Sequence, residues 1–141
     1  NDAGDELDPV LVHRVQDLCT FAGASVVVTS SWRVLYRHED IKGWLAARGL
    51  TAPVVGFTPN LAGQPRGAEI AAWLKANPAT GPREFVILED NEDVRPFRSR
   101  WVQTTFEGSG AGVQIKHVRM ALRLFGLLKP STTPSEETAR A

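Results

Sequence analysis

A chain of 141 residues, 43% hydrophobic and 23% charged, is one domain's worth of sequence and carries enough apolar side chains for a core of its own. Its 16 Lys and Arg balance 16 Asp and Glu, which speaks against a broad nucleic-acid footprint and leaves room only for a local basic patch. Cys19 is the single cysteine, no apolar run approaches the roughly 18 residues of a membrane span, and no signal-like segment is visible, so a cytoplasmic location without a membrane partner is the expectation.

In chain order, Asn1 to Glu6 is polar and acidic and reads as loop. Asp8-Pro9 opens a helix, with Asp as N-cap and Pro at the first helical position, and Leu11, Val15, Leu18, Cys19 and Ala22 follow at helical spacing until Gly23. His13 on this helix reads as a surface or packing residue. Ser25 to Thr29 is a short β-branched run of the kind a strand buried on both faces shows. A second helix is expected from about Arg37 to Arg48 with Ile41, Trp44 and Leu45 as its apolar stripe. Pro53 to Gly56 is a short strand candidate, and Phe57 to Pro65 a loop rich in turn residues.

Arg66 opens a third helix, carrying Ile70, Trp73 and Leu74, which Asn77-Pro78 ends. Thr80-Gly81-Pro82 is a turn. Phe85 to Leu88 is a second fully buried strand, Trp101 to Thr105 a weaker one, Glu107 to Gly112 a Gly-rich loop and Val113 to Phe125 the last helix. The four tryptophans, Trp32, Trp44, Trp73 and Trp101, read as packing residues rather than a stacking platform for bases. Residues 129–141 hold two prolines and no large apolar side chain, the composition of a disordered tail, so the folded unit is taken as residues 1–128. Strands alternating with helices specify an α/β fold: a three-layer, Rossmann-like, mainly parallel sheet with flanking helices and little or no cap.

Three places carry chemistry. Thr29, Ser30, Ser31 and Arg33 stand just beyond the carboxyl end of a buried strand, where open α/β sheets bind ligands, and hydroxyls with a guanidinium suit a phosphoryl group. The same hydroxyls also suit helix capping. Glu89 and Asp90 end the second buried strand and Asp93 follows. Adjacent carboxylates raise each other's pKa unless a cation neutralises them, and such hard oxygens suit Mg²⁺; the alternative is a solvated loop with Asp90 or Asn91 as a cap. Arg66 sits in the first turn of a helix, where its charge opposes the helix dipole and a bound anion would relieve the conflict.

In this order, Thr29-Ser30-Ser31-Trp32-Arg33, Arg66-Gly67-Ala68-Glu69-Ile70 and Val86-Ile87-Leu88-Glu89-Asp90 resemble motifs II, III and IV of the haloacid dehalogenase (HAD) superfamily. The small phosphatase-like HAD domain of the Swiss Army Knife RNA repair group is the nearest likeness, and the Thr58-Pro59 turn adds to it. The resemblance spans roughly Pro9 to Gly126 and implies Mg²⁺-dependent hydrolysis of a phosphomonoester through an aspartyl-phosphate. It implies that Thr29 or Ser30 bonds a phosphoryl oxygen, that Ser31 and Arg33 help bind substrate, that Arg66 offsets charge on the phosphoryl group, and that Glu89, Asp90 and Asp93 hold Mg²⁺. With so short a connection between motifs II and III, the site would be open to a large phosphorylated substrate such as a nucleic-acid terminus.

Motif I, an Asp-x-Asp-Gly at the end of a hydrophobic strand before the first helix, is not in this sequence. Asp2, Asp5 and Asp8 precede the first helix, but no apolar strand precedes them, and none is a credible nucleophile. By resemblance the missing strand is the central one. Asn1 opens the chain and Met120 is its only methionine, so upstream residues are expected, and with them the strand and the nucleophile. Otherwise the sheet has closed up or is completed by another segment or chain, and this chain by itself is not catalytic. Glu89, where the family more often has Asp, is a smaller departure. A receiver-domain reading of the acidic cluster fails because no Asp follows Asp93 to act as phosphoacceptor. A non-catalytic Rossmann-like domain for binding or assembly is the alternative function.

Overall fold

The structure is a computed structural model that describes residues 8–79, 84–104 and 112–128. The N-terminal loop, the turn at Thr80-Gly81-Pro82, most of the Gly-rich loop and the C-terminal tail expected above lie outside these residues. Helix α1 is Pro9–Ala22, and its ends are those expected. The Asp8 carboxylate accepts from the Val10 N–H at 2.9 Å, and Gly23 takes a left-handed conformation (φ 62°) that lets the chain turn off the helix. Strand β1, Val26–Val28, leads into a single-turn helix α2, Trp32–Leu35, and then α3, His38–Ala47. Strand β2 is Val54–Phe57, and helix α4 is Arg66–Ala76. Strand β3 is Ile87–Glu89, β4 is Trp101–Gln103 and helix α5 is Ile115–Leu124.

Between β3 and β4 the chain forms a segment of 3-10 helix, Glu92–Arg100, with Pro96 inside it and non-helical backbone at Val94 and Phe97. It was not expected. Val94 is fully buried beside Ile70 and Ile87, and Phe97 packs on the same cluster.

All strand pairing is parallel, β1 with β2 and β3 with β4, as an α/β fold requires. The pairs do not join: the described residues form two separate two-stranded sheets. The core divides in the same way. Leu18, Val102 and Ala121 make one buried cluster, between α1, β4 and α5, and Ile70, Ile87 and Val94 make another beneath α4. Here the sequence expectation needs correction. β1 and β3 read as strands buried on both faces, yet every residue of β1 is only half-buried, and of Phe85 to Leu88 only Ile87 is fully buried. The physical reason is a cavity of about 450 Å³ between the two half-sheets, lined by β1, by the approach to β3 and β3 itself, and by α1 and α4. The sheet has not closed up.

The aromatic residues pack as expected. Trp32, Tyr36 and Trp44 meet edge-to-face with centroids 5.3 to 6.5 Å apart, and His38 stacks on Phe57 at 3.8 Å. Trp73 lies over Gly56 so closely that a Cβ there would stand 2.6 Å from the indole nitrogen. The exposed His13 ring rests against Gly49, consistent with a packing role. No described helix is long and apolar enough to cross a membrane.

Candidate functional site

Arg66 links the segment that follows β1 to the end of β3. Its guanidinium donates to Glu89 Oε2 at 2.9 Å and reaches Ser31 Oγ at 3.5 Å. Position follows from packing. Gly67 lies so close to the 3-10 segment that a Cβ would stand 3.0 Å from the Asp93 carbonyl oxygen, which brings the first turn of α4 down onto the acidic loop. The dipole conflict expected for Arg66 is relieved by the protein's own carboxylates. Glu69 lies 3.5 Å from its Nε, Glu89 accepts from its Nη1, and Asp93 Oδ2 accepts from its backbone N–H at 3.0 Å. Asp93 thereby caps a helix whose own N-cap residue, Pro65, offers no side-chain acceptor.

Glu89 stands at the strand end, as expected: it is the last residue of β3, and its side chain is only 11% exposed. Oε1 accepts from the Asp90 and Asn91 backbone N–H groups at 3.0 and 3.3 Å. Burial pushes its carboxyl up to about 7; the hydrogen bond with Asp90 pushes the same way, while the backbone N–H and Arg66 oppose them. The Asp90 carboxyl is held below its ordinary value, first by that same hydrogen bond from Glu89. Asn91 Oδ1 accepts from the Asp93 N–H at 3.1 Å, so the capping alternative holds for Asn91. Asp93 Oδ1 is buried with no hydrogen-bond partner among the described residues.

Arg33 has a different place from the one expected. Its side chain is 3% exposed, and every guanidinium N–H is taken. Nε donates to Thr58 O at 2.8 Å, Nη1 to Thr29 O and Ser30 O at 3.0 Å, and Nη2 to Pro59 O at 3.2 Å and Glu69 Oε1 at 2.6 Å. No donor remains for a phosphoryl oxygen, so Arg33 is a brace and not a substrate ligand. It ties the end of β1 to the end of β2 and to α4. Its partner Glu69, 6% exposed, also accepts from Leu61 N–H at 2.8 Å. Glu69 received no role from the sequence, because an acid in the first turn of a helix reads as a dipole partner.

Among the hydroxyls, Thr29 Oγ1 accepts from Thr58 Oγ1 at 2.9 Å and stands at the mouth of the cavity. Ser30 Oγ accepts from the Trp32 N–H at 3.2 Å, a turn bond, while Ser31, the N-cap residue of α2, makes no side-chain capping bond. Ser31 is exposed and faces Arg66. Ser31, Arg66 and Glu89 are therefore brought together, with Asp90 next to Glu89, while Thr29 pairs with Thr58 and lines the cavity. Among the described residues, no group of three or more His, Cys, Asp or Glu side chains is arranged to hold a metal ion.

No curated protein and no solved structure shows significant similarity to this chain. A family model for the HAD domain in Swiss Army Knife RNA repair proteins matches residues 1–110, which take in every residue of this site. With parallel strands, helices around them and Ser31, Arg66 and Glu89 converging at the strand ends, the chain belongs to the HAD superfamily, as a domain of the Swiss Army Knife type.

Proposed function

We propose that this domain is the phosphate-binding part of a Mg²⁺-dependent phosphomonoester hydrolase. The observation that carries the reading is the placement of Arg66 between Ser31, in the segment that follows β1, and Glu89, at the end of β3. A guanidinium there presents planar donors to the oxygens of a phosphoryl group, and the hydroxyl of Ser31 lies beside it. Mg²⁺ is compatible with the donor set, since it commonly takes one or two carboxylates and keeps several waters. Asp90, whose carboxylate stays ionised, and Asp93 Oδ1, which has no partner among the described residues, are the oxygens best disposed to hold it, with Glu89 beside them. When bound, such an ion would offset charge on the phosphoryl oxygens.

The aspartate nucleophile of HAD chemistry is not among the described residues, so turnover requires a carboxylate from elsewhere and the isolated chain is inactive. Family membership favours a nucleic-acid terminus as substrate, and the short α2 and α3 connection between β1 and β2 adds no bulky cap. The test on this chain is binding. Inorganic phosphate with Mg²⁺ should raise its melting temperature, and Arg66→Ala should abolish that rise while leaving the unliganded midpoint within a few degrees. No rise in the unaltered chain would remove the reading and favour the non-catalytic binding domain.

A further inference from the structure

We infer that the outer face of α5 is a docking surface for the phosphodiester backbone of a single-stranded nucleic acid, away from Arg66 and Glu89. The chain's zero net charge conceals a division. Residues 1–93 hold 13 Asp and Glu against eight Lys and Arg, whereas residues 94–128 hold six Lys and Arg against one acid, Glu107. The fold gathers four of those six. Lys116, Arg119 and Arg123 stand at i, i+3 and i+7 of α5, within about 60° of one another around the helix and over about 10 Å along it. Val118, Ala121 and Leu122 occupy the other face, packed into the core with Leu18 and Val102. Lys116 and Arg119 are exposed and Arg123 is half-buried. Arg100 prolongs the row. Its Nη1 donates to Leu124 O, at the end of α5, at 3.2 Å, and its Nε to Phe85 O at 2.6 Å.

Helix stability does not account for this row. Lys116 lies in a first turn that has no acidic residue, so its charge opposes the helix dipole, and only Arg123 in the last turn gains from it. Arg119 and Arg123 are like charges at i, i+4, an arrangement that weakens a helix. None of the four makes an ion pair with a described carboxylate, whereas Arg33, Lys42, Arg66 and Arg95 each do. Nη2 of both Arg100 and Arg123 is buried without a hydrogen-bond partner among the described residues. Positive charge is thus left uncompensated along one line, and a polyanion compensates it. Guanidinium forks match phosphate oxygens, and the row covers the rise of about three nucleotides. Met120, 41% exposed beside the row, adds an apolar contact for a sugar or base. One row of cations tracks one backbone, not the two of a duplex. Arg100 directly precedes β4, so its end of the row lies at the amino end of the β3–β4 pair, opposite Glu89 at the carboxyl end.

The inference goes beyond the phosphohydrolase reading and does not need it: a backbone can dock on α5 whether or not Arg66 binds phosphate. The probe is a fluorescently labelled RNA of about 15 nucleotides without a terminal phosphate, titrated with the 141-residue chain and followed by anisotropy. Affinity should fall about 20- to 50-fold as salt rises from about 50 to 200 mM, the response to three or four phosphate contacts on a single strand. Lys116→Ala combined with Arg119→Ala, both exposed positions, should weaken binding at least about tenfold at about 50 mM salt and lower the salt slope by about 1.4. The same double variant should keep its urea midpoint and its binding of inorganic phosphate with Mg²⁺. Absence of RNA binding overturns the inference, and so does binding that the double variant leaves intact. Poly-glutamate of equal length binding as tightly as the RNA would make an acidic protein the partner and overturns it as well. Arg66→Ala separates the two readings: it should lose phosphate and keep the RNA, and loss of the RNA in Arg66→Ala but not in the double variant would place the strand at the phosphate site instead.

Discussion

Replacing Arg33 by methionine removes a brace whose size can be worked out from its contacts. The guanidinium makes five hydrogen bonds: to the carbonyls of Thr29, Ser30, Thr58 and Pro59, and to Glu69 at 2.6 Å. The two paired side chains are 3% and 7% exposed, so water cannot replace the lost partner cheaply. Removing one member of a buried ion pair costs about 3–5 kcal/mol, because the other charge is left unpaired. Glu69 would keep Leu61 N–H and Arg66, which moves the expectation to the lower end, about 3 kcal/mol. Urea unfolding followed by tryptophan fluorescence is the assay, with the m-value checked for constancy. Adding Glu69→Gln to Arg33→Met removes the stranded charge, so the double variant should recover about 1–2 kcal/mol relative to the sum of the single effects. A loss under about 1 kcal/mol for Arg33→Met, or additive single effects, would show that Arg33 is not a buried brace.

Glu89 gives a pH dependence with a definite sign. Its folded carboxyl is raised from 4.5 to about 7, so the folded state binds this proton more tightly than the unfolded chain. The contribution is fully present below the unfolded value and is lost as pH rises to about 7, with a slope of at most about 1.4 kcal/mol per pH unit. Asp90, lowered by the same hydrogen bond, acts with the opposite sign at lower pH, where its contribution falls away on acidification. Glu89→Gln should therefore flatten the decline in stability toward neutral pH, and an unchanged slope in pH-dependent urea melts would count against a buried Glu89 with a raised pKa. Gly56→Ala should cost about 1–3 kcal/mol and shift the Trp73 emission, because the new Cβ would meet the indole at 2.6 Å; a neutral effect would mean that Trp73 is free to move aside. Gly67→Ala should weaken phosphate binding more than it lowers stability, by lifting Arg66 away from Glu89, and calorimetry with inorganic phosphate and Mg²⁺ would read this directly.

Local chemistry was legible in the sequence because local rules decide it. Asp8-Pro9, Gly23 and Asn77-Pro78 mark helix ends through capping and backbone geometry that need no tertiary partner. Alternation of helices with β-branched runs was enough for the fold class, and the order of the Ser-Ser-Trp-Arg, Arg-Gly and Glu-Asp segments for the family. Tertiary structure decided which charged groups are spent on architecture. Arg33 and Arg66 look alike in the sequence, each beside an element end. Five acceptors surround one, whereas the other stands between Ser31 and Glu89 at the cleft. The role of Asp93 as a cap for α4, 27 residues earlier in the chain, had no local signature either. Nor could the sequence show that the described strands stand as two separate parallel pairs beside a cavity lined by residues of α1, α4, β1 and β3, because strand pairing and cavities depend on contacts between elements far apart in the chain.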